Sequence, residues 1–256
     1  TVGAEVAARL PADGYNLFLG TASTLAMAPP LYPRLTYSAA DFVPVGFFAD
    51  ATFMVVVHPS VPANTLKEFI ALAKAKPGTL GYASFGNGSP QHVAGELLQI
   101  AAGVKFIHVP YKSGGLMVTG LLSGEVNFMF LGLSPALPHV KSGRFRTIAV
   151  AAAQRSAAAP EVPPFAEGGV PGVVADNWLG VFTTGGAPKA VIDRLNAEIV
   201  KAVRSRDTAE RIQQQGLDIV TSSPADFSAF FKAELAKTAK LVREAGIEPQ
   251  CLLQDS

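Results

Sequence analysis

Residues 82–98, "YASFGNGSPQHVAGELL", contain a strand, a turn and a helix in succession. A short run suited to a strand meets a turn of Gly, Asn and Ser, and an apolar pattern with helical spacing follows. Ser89 is a good N-cap residue and Pro90 suits the first helical position, so we expect the helix to begin there.

The same strand–turn–helix pattern occurs five times along the chain. Alternating strands and helices indicate an α/β fold with largely parallel sheets. The copies have no fixed period, which argues against a solenoid. They read "YNLFLGTASTLAMAPPLY", "TLGYASFGNGSPQHVAGELLQIAAG", "VKFIHVPYKSGGLMVTGLLSG", "VNFMFLGLSPALPHVKSG" and "WLGVFTTGGAPKAVIDRLNAEIVKAVRS".

Composition excludes several classes of protein. The 256 residues are 49% hydrophobic and 16% charged, and the formal net charge of +1 gives no sign of a nucleic-acid surface. No apolar run reaches the roughly 18–20 residues of a membrane span. Cys251 is the single cysteine, so the chain has neither an internal disulfide nor a cysteine-based zinc site.

Several predicted turns can hold an anion. In α/β sheets ligands bind beyond the carboxyl ends of the strands, where helix N-termini present free N–H groups. Four such turns are rich in hydroxyl groups or glycine, and the coincidence favours a cleft for a carboxylate or phosphate. They lie at Thr21–Ser23, Ser84–Ser89, Tyr111–Gly115 and Leu131–Ser134, and the last places a helix start at Ser134-Pro135.

Motif spacing argues against nucleotide binding and catalysis. "SFGNGSPQH" matches neither the P-loop nor the dinucleotide fingerprint, and the chain has no G-x-S-x-G elbow. The four histidines lack metal-ligand spacing, so neither a metal nor another cofactor is expected. His92 could reach Ser89, but we interpret it as a hydrogen-bonding wall of the cleft. His108 is interpreted as an ordinary strand residue.

Three further side chains have two interpretations each. Lys112 is either a solvated loop residue or a cation facing the ligand, and Tyr111 is either a wall of the cleft or ordinary packing. Trp178, the only tryptophan, is either a core residue or an aromatic lining the cleft.

In order along the chain, "PADGYNLFLGTAST", "VHPSVPANTLKEFIALAKAKPGTLGYASFGNGSPQHVAGELL", "HVPYKSGG", "LLSGEVNFMF", "PALPHVKSGRFRTIAV" and "LNAEIVKAV" resemble the Bug family. These are the TctC-like solute-binding proteins of tripartite tricarboxylate transporters. The resemblance implies a periplasmic, two-lobed binding protein of type II, the Venus flytrap. It implies no enzymatic activity, and it implies amino-acid, di- or tricarboxylate, or aromatic-acid ligands.

Two departures from the family pattern stand out. Members normally begin with a signal peptide and a strand–loop–helix–strand segment whose loop contacts ligand. That segment does not occur in these 256 residues, so we expect it to be missing. "MFLGLSPALPHV" also places Leu131 and Gly132 where the family commonly has Asp and Asn. The loss of a carboxylate there predicts a ligand that is more apolar or bulkier on that side.

The predicted domains are lobe one, residues 1–55 and 177–256, and lobe two, residues 56–176, with crossings near Val55–Pro59 and Val174–Trp178. We expect a monomer that captures a small carboxylate in the cleft between the lobes and delivers it to membrane permease subunits. A ligand sensor without transport, or a hydrolase using Ser89 and His92, are the alternatives. The predicted ligand-binding residues are Thr21, Ala22, Ser23, Ser84, Gly86, Asn87, Gly88, Ser89, His92, Tyr111, Lys112, Ser113, Leu131, Gly132 and Trp178.

Overall fold

The computed structural model describes residues 2–156, 159–173, 175 and 177–244, and the chain divides into two compact units. Unit 1 comprises the described residues up to Asp50, Asn177–Gln214, and those from Ile219 onward. Unit 2 comprises the described residues of Ala51–Asp176, together with Gln215–Asp218. Cys251, and the Val174 and Asp176 of the predicted second crossing, lie outside the described residues.

Helices and strands alternate through most of the described chain. The α-helices are α1 (Val2–Ala7), α2 (Ala28–Leu31), α3 (Leu66–Ala75), α4 (Pro90–Ala102), α5 (Gly114–Leu122), α6 (Leu133–Lys141), α7 (Lys189–Arg204), α8 (Arg206–Gln214) and α9 (Pro224–Glu244). The strands are β1 (Phe18–Thr21), β2 (Phe42–Ala51), β3 (Phe53–Val57), β4 (Gly81–Ser84), β5 (Ile107–Pro110), β6 (Phe128–Gly132), β7 (Arg146–Val150), β8 (Asn177–Thr184) and β9 (Asp218–Ile219). A π-helix, Ala22–Met27, leads into α2, and a 3-10 turn, Ala39–Asp41, precedes β2.

Unit 2 is built on a five-stranded mixed sheet in the order β5-β4-β6-β3-β7. Strand β4 runs parallel to β5 and β6, whereas β3 is antiparallel to β6 and β7. Strands β6 and β7 are therefore parallel to each other, and the connection through α6 crosses over β3. The expectation of largely parallel sheets is correct for β4, β5 and β6 but wrong for β3, and it is also wrong for β1 and β8, which pair antiparallel.

Strand β3, "FMVVV", is buried along its whole length. A continuous apolar run of this kind suits a strand covered on both faces. Strand β3 lies inside the sheet of unit 2, and the chain passes from unit 1 to unit 2 between Asp50 and Ala51, ahead of the predicted crossing near Val55–Pro59.

An aromatic cluster forms part of the core of unit 2 beside β4. Phe128 packs edge-on against Phe69, with ring centroids 5.1 Å apart, and stacks on Tyr82 at 5.5 Å. Tyr82 also lies over Gly95 of α4, where a Cβ would come within 2.5 Å of the phenol ring. Glycine at this position therefore allows α4 to approach the sheet closely.

Unit 1 is centred on a four-stranded sheet in the order β1-β8-β2-β9, in which β1 and β8 are antiparallel. Trp178 on β8 is fully buried, and its ring contacts Phe182, Phe227, Phe230 and Phe231. These contacts make Trp178 a core residue of unit 1. The packed phenylalanine rings leave no indole surface exposed, which favours the core interpretation of Trp178 over the ligand-contact one.

The helix start predicted at Ser89-Pro90 is confirmed. Ser89 caps α4 with Pro90 in its first turn, and the Ser223 hydroxyl accepts a hydrogen bond from Asp226 N–H at the start of α9. The start predicted at Ser134-Pro135 is displaced, because Gly132 is the N-cap of α6 and no side chain caps that helix.

Candidate functional site

The turn between β4 and α4 is held by its own hydroxyl groups. Ser84 ends β4 and is fully buried, and its Oγ accepts a hydrogen bond from Gly86 N–H at 2.9 Å. Ser89 Oγ donates to Gly86 O at 2.7 Å and accepts from His92 N–H at 3.3 Å. Gly86 and Gly88 have φ values of +105° and +73°, which side-chain-bearing residues rarely adopt.

These bonds leave few amides of the turn open. Gly88 N–H donates to His92 Nδ1 at 3.0 Å, and Ser89 N–H donates to Gly86 O at 3.2 Å. Within the described part of the chain, Asn87 N–H and Gln91 N–H have no hydrogen-bond partner. These two amides, one in the turn and one in the first turn of α4, are therefore open backbone donors.

Ser84 supports the turn from inside. Its hydroxyl also forms a short hydrogen bond with His108 Nε2, and its carbonyl accepts from Tyr111 N–H at 2.8 Å. The Ser84 side chain is enclosed and its hydroxyl is already engaged, so it positions the turn, and its contact with a ligand stays a prediction.

Two histidines stack beneath the turn. The rings of His92 on α4 and His108 on β5 are 4.2 Å apart and inclined by 22°. Burial, with a smaller contribution from His108, lowers the pKa of His92 to about 4, and burial also lowers the pKa of His108. Both rings are therefore neutral at pH 7. This role of His108 was not predicted from the sequence, because its partners His92 and Ser84 lie 16 and 24 residues away along the chain.

The start of α5 is a second open helix end in unit 2. Ser113 caps it by accepting from Leu116 N–H at 3.4 Å. The N–H groups of Gly114 and Gly115 have no partner among the described residues. Lys112 and Ser113 are exposed. This helix start therefore offers backbone donors, a hydroxyl and a cation.

Phe85 connects the two turns of unit 2. Its ring lies 3.4 Å from the position that a Cβ would take at Gly114, although 52% of the residue remains exposed. Because Tyr111 N–H also binds Ser84 O, the starts of α4 and α5 are neighbours. The signal for this contact in the sequence is a phenylalanine inside a turn of Ser, Gly and Asn.

Tyr111 packs against α5. A Cβ at Gly120 would lie 2.8 Å from Tyr111 Cζ, so the ring occupies the space that this glycine leaves. Burial raises the pKa of Tyr111, and the nearby Glu125 raises it further. Of the two interpretations of Tyr111, packing is the one with observed contacts.

Leu131 and Gly132 end β6 where α6 begins. Leu131 is half-buried and packs against the apolar cluster that contains Met54 and Leu133. A Cβ at Gly216 would lie 2.8 Å from Ser134 Cβ, so the chain around Gly216 passes close to the first turn of α6.

In unit 1, Thr21, Ala22 and Ser23 form the start of the π-helix. Thr21 and Thr24 cap each other, with Thr24 Oγ1 accepting from Thr21 N–H at 3.1 Å and Thr21 Oγ1 accepting from Thr24 N–H at 3.3 Å. The N–H groups of Ala22 and Ser23 have no partner among the described residues. This segment therefore presents donors of the same kind as α4 and α5 do.

The described residues show neither a metal cluster nor a membrane-spanning helix. Within those ranges, no group of three or more His, Cys, Asp or Glu is placed to hold a metal ion. Nor does any helix of the described chain combine the length and apolarity that crossing a membrane requires.

A mixed α/β fold with hydroxyl- and amide-lined helix starts is typical of proteins that hold a small anion. The model of the tripartite tricarboxylate transporter family receptor, TctC, matches residues 1–247. Protein BugT of Bordetella pertussis is 34% identical over 247 residues, which cover 96% of this chain and 76% of BugT.

Solved structures show the same similarity. Rpa4515 of R. palustris, solved with adipate, is 30% identical with a TM-score of 0.83, covering 97% of this chain and 84% of that one. MatC of Rhodopseudomonas palustris, with bound malate, is 26% identical with a TM-score of 0.76, covering 94% and 84%.

The chain belongs to the TctC family of receptors. Members are periplasmic solute-binding proteins and not enzymes. The hydrolase alternative for Ser89 and His92 is therefore set aside, and the mixed α/β fold with two sheets is consistent with the two-lobed fold of this family.

Proposed function

We propose that this protein is a periplasmic solute-binding protein that captures a small carboxylate for a transporter of the tripartite tricarboxylate type. The observation that carries the proposal is the neighbouring pair of helix starts in unit 2. The N–H groups of Asn87, Gln91, Gly114 and Gly115 there have no partner in the described part of the chain, and Lys112 lies beside them in sequence. Helix N-termini and a cation favour a carboxylate, because both place positive charge near it.

The bound ligands of related structures support this ligand class. Rpa4515 was solved with adipate and MatC with malate, and both ligands are small dicarboxylates. We therefore propose that this chain takes a carboxylate of similar size. Units 1 and 2 are proposed as its lobes, Thr21, Ala22 and Ser23 as further ligand contacts, and membrane permease subunits as its partners.

The proposal is tested by a thermal-shift screen followed by calorimetry. The panel contains adipate, malate, citrate, benzoate and an amino acid, with adipamide as the uncharged counterpart of adipate. At least one carboxylate should raise the melting temperature in a concentration-dependent way, whereas adipamide should not. Stabilisation by sugars or cationic amines, with none from any carboxylate, would overturn the proposal.

Lys112→Gln examines the role of the charge at the start of α5. Loss of about 1 kcal/mol of charge-assisted binding should weaken the affinity for the best carboxylate about fivefold. Lys74→Gln, which removes an exposed charge in the last turn of α3, is the matched control and should bind like the wild type. Equal affinities for all three proteins would exclude Lys112 as a ligand contact.

A further inference from the structure

The stacked histidines hold the Ser84–Ser89 turn at both of its ends. His108 Nε2 is hydrogen-bonded to the Ser84 hydroxyl, which in turn accepts from Gly86 N–H. His92 Nδ1 accepts from Gly88 N–H at 3.0 Å. Because Gly86 and Gly88 both have positive φ, these contacts select one conformation among the many that glycine allows.

The hydrogen bond at Gly88 defines the protonation state of His92. A backbone N–H can only donate, so Nδ1 must carry a lone pair, and the ring proton resides on Nε2. That Nε2 lies 3.7 Å from Glu96 Oε1. A second proton on the ring would occupy Nδ1, point at Gly88 N–H and break the bond that holds the turn.

The neighbouring His108 ring increases the free-energy cost of protonating His92. With centroids 4.2 Å apart, two imidazolium rings would repel each other across a buried contact. Among the described residues, the other titratable groups that face the pair are Glu96 on α4 and Tyr82 on β4, whose ring stacks on His108 at 5.2 Å. Burial raises the pKa of both Glu96 and Tyr82, so Glu96 is a weak counter-ion as the pH falls and Tyr82 stays neutral.

We infer that His92 and His108 are positioning residues that hold the Ser84–Ser89 turn only while both rings are neutral. Protonation of His92 then releases the turn and, with it, the ligand. The second half of this inference rests on the proposed carboxylate binding. Asn87 N–H and Gln91 N–H lie on either side of Gly88 and Ser89, so loss of the Gly88 contact alters the spacing of the two amides proposed to bind the carboxylate.

The first arm of the test needs no ligand. The full chain, labelled with ¹⁵N and ¹³C, is titrated from pH 8 to pH 3.5 by NMR, following the His92 ring nitrogens and the Gly88 amide. Both should move together in a single step below pH 6, and the Gly88 amide should exchange faster with solvent after that step. A Gly88 signal that stays fixed while His92 titrates would overturn the inference.

The second arm measures adipate affinity by calorimetry at several pH values in matched variants. At pH 7.5 His92→Asn, which keeps an acceptor near the position of Nδ1, should bind adipate at least about tenfold more tightly than His92→Ala, which removes that acceptor. Below the pKa of His92, wild-type affinity should fall about tenfold more per pH unit than that of His92→Asn. Proton uptake by adipate itself is common to all variants and cancels.

The controls separate the two halves of the inference. His58→Gln removes a histidine whose ring binds Ser60, away from the turn, and should keep the wild-type pH profile. An identical profile in His92→Asn and the wild type would show that His92 does not control release. If no carboxylate binds at any pH while Gly88 still follows His92, the proposed function fails and only the conformational half stands.

Discussion

The hydroxyl of Ser89 both caps α4 and closes the turn before it. It accepts from His92 N–H at 3.3 Å and donates to Gly86 O at 2.7 Å. Ser134 was predicted as a second cap, but the N-cap of α6 is Gly132 and it offers no side chain. The two serines therefore form a natural comparison.

Ser89→Ala should lower the free energy of unfolding by about 1 kcal/mol, the usual contribution of a serine cap. Ser134→Ala should change it by less than about 0.5 kcal/mol, because no cap is lost. Urea unfolding of the two variants and the wild type measures the difference. Equal losses in both variants would contradict the assignment of the caps.

Stability should also depend on His92. Its pKa is lowered from 6.5 to about 4 in the folded chain, so the unfolded chain binds the proton more readily. The free energy of unfolding should therefore fall as the pH drops from 6.5 towards 4, by at most about 3 kcal/mol from this group. Glu96 acts in the opposite direction, because burial raises its pKa in the folded state.

Urea unfolding at half-unit steps from pH 7 to pH 4 measures this dependence. His92→Asn should flatten the curve in that window, since the substituted side chain does not titrate. A curve for His92→Asn that runs parallel to the wild-type curve would contradict the pKa assigned to His92.

At the scale of one element, helix α5 has one glycine packed against an aromatic ring and another glycine in open space. A Cβ at Gly120 would overlap the Tyr111 ring, whereas a Cβ at Gly115 would meet open space. Both glycines belong to the same nine-residue helix, so their substitution separates steric crowding from helix propensity.

Gly120→Ala should lower the free energy of unfolding by about 1–3 kcal/mol, because the new methyl group must displace a packed aromatic ring. Gly115→Ala should leave stability unchanged or raise it by up to about 1 kcal/mol, because alanine restricts the unfolded chain. Thermal and urea unfolding measure both effects. A stabilising Gly120→Ala would show that Tyr111 does not occupy the position described.

The turns and helix starts were predictable because their signals are local. Ser89 and Pro90 lie next to each other, and Gly103 ends α4 with a φ of +62°, as a left-handed C-cap should. The pairing of His92 with His108 was not predictable, because it depends on β5 joining β4 in register, with Tyr82 opposite His108. Trp178 was open to two interpretations for the same reason, since its phenylalanine partners come from β8 and α9.

At the scale of the whole molecule, the class of protein followed from the ordered set of segments, and the family match over residues 1–247 confirms it. The antiparallel direction of β3 could not be predicted from the sequence, because a buried apolar strand has the same residue pattern in a parallel and in an antiparallel sheet. The ligand class is the central claim for the whole chain.

Isothermal titration calorimetry of the full chain with adipate and malate at pH 7.5 tests that claim most directly. We predict saturable binding of at least one of them with one site per chain, and no binding of adipamide. Failure of these and of every other small carboxylate to bind, with clear binding of an uncharged or cationic solute, would contradict the account.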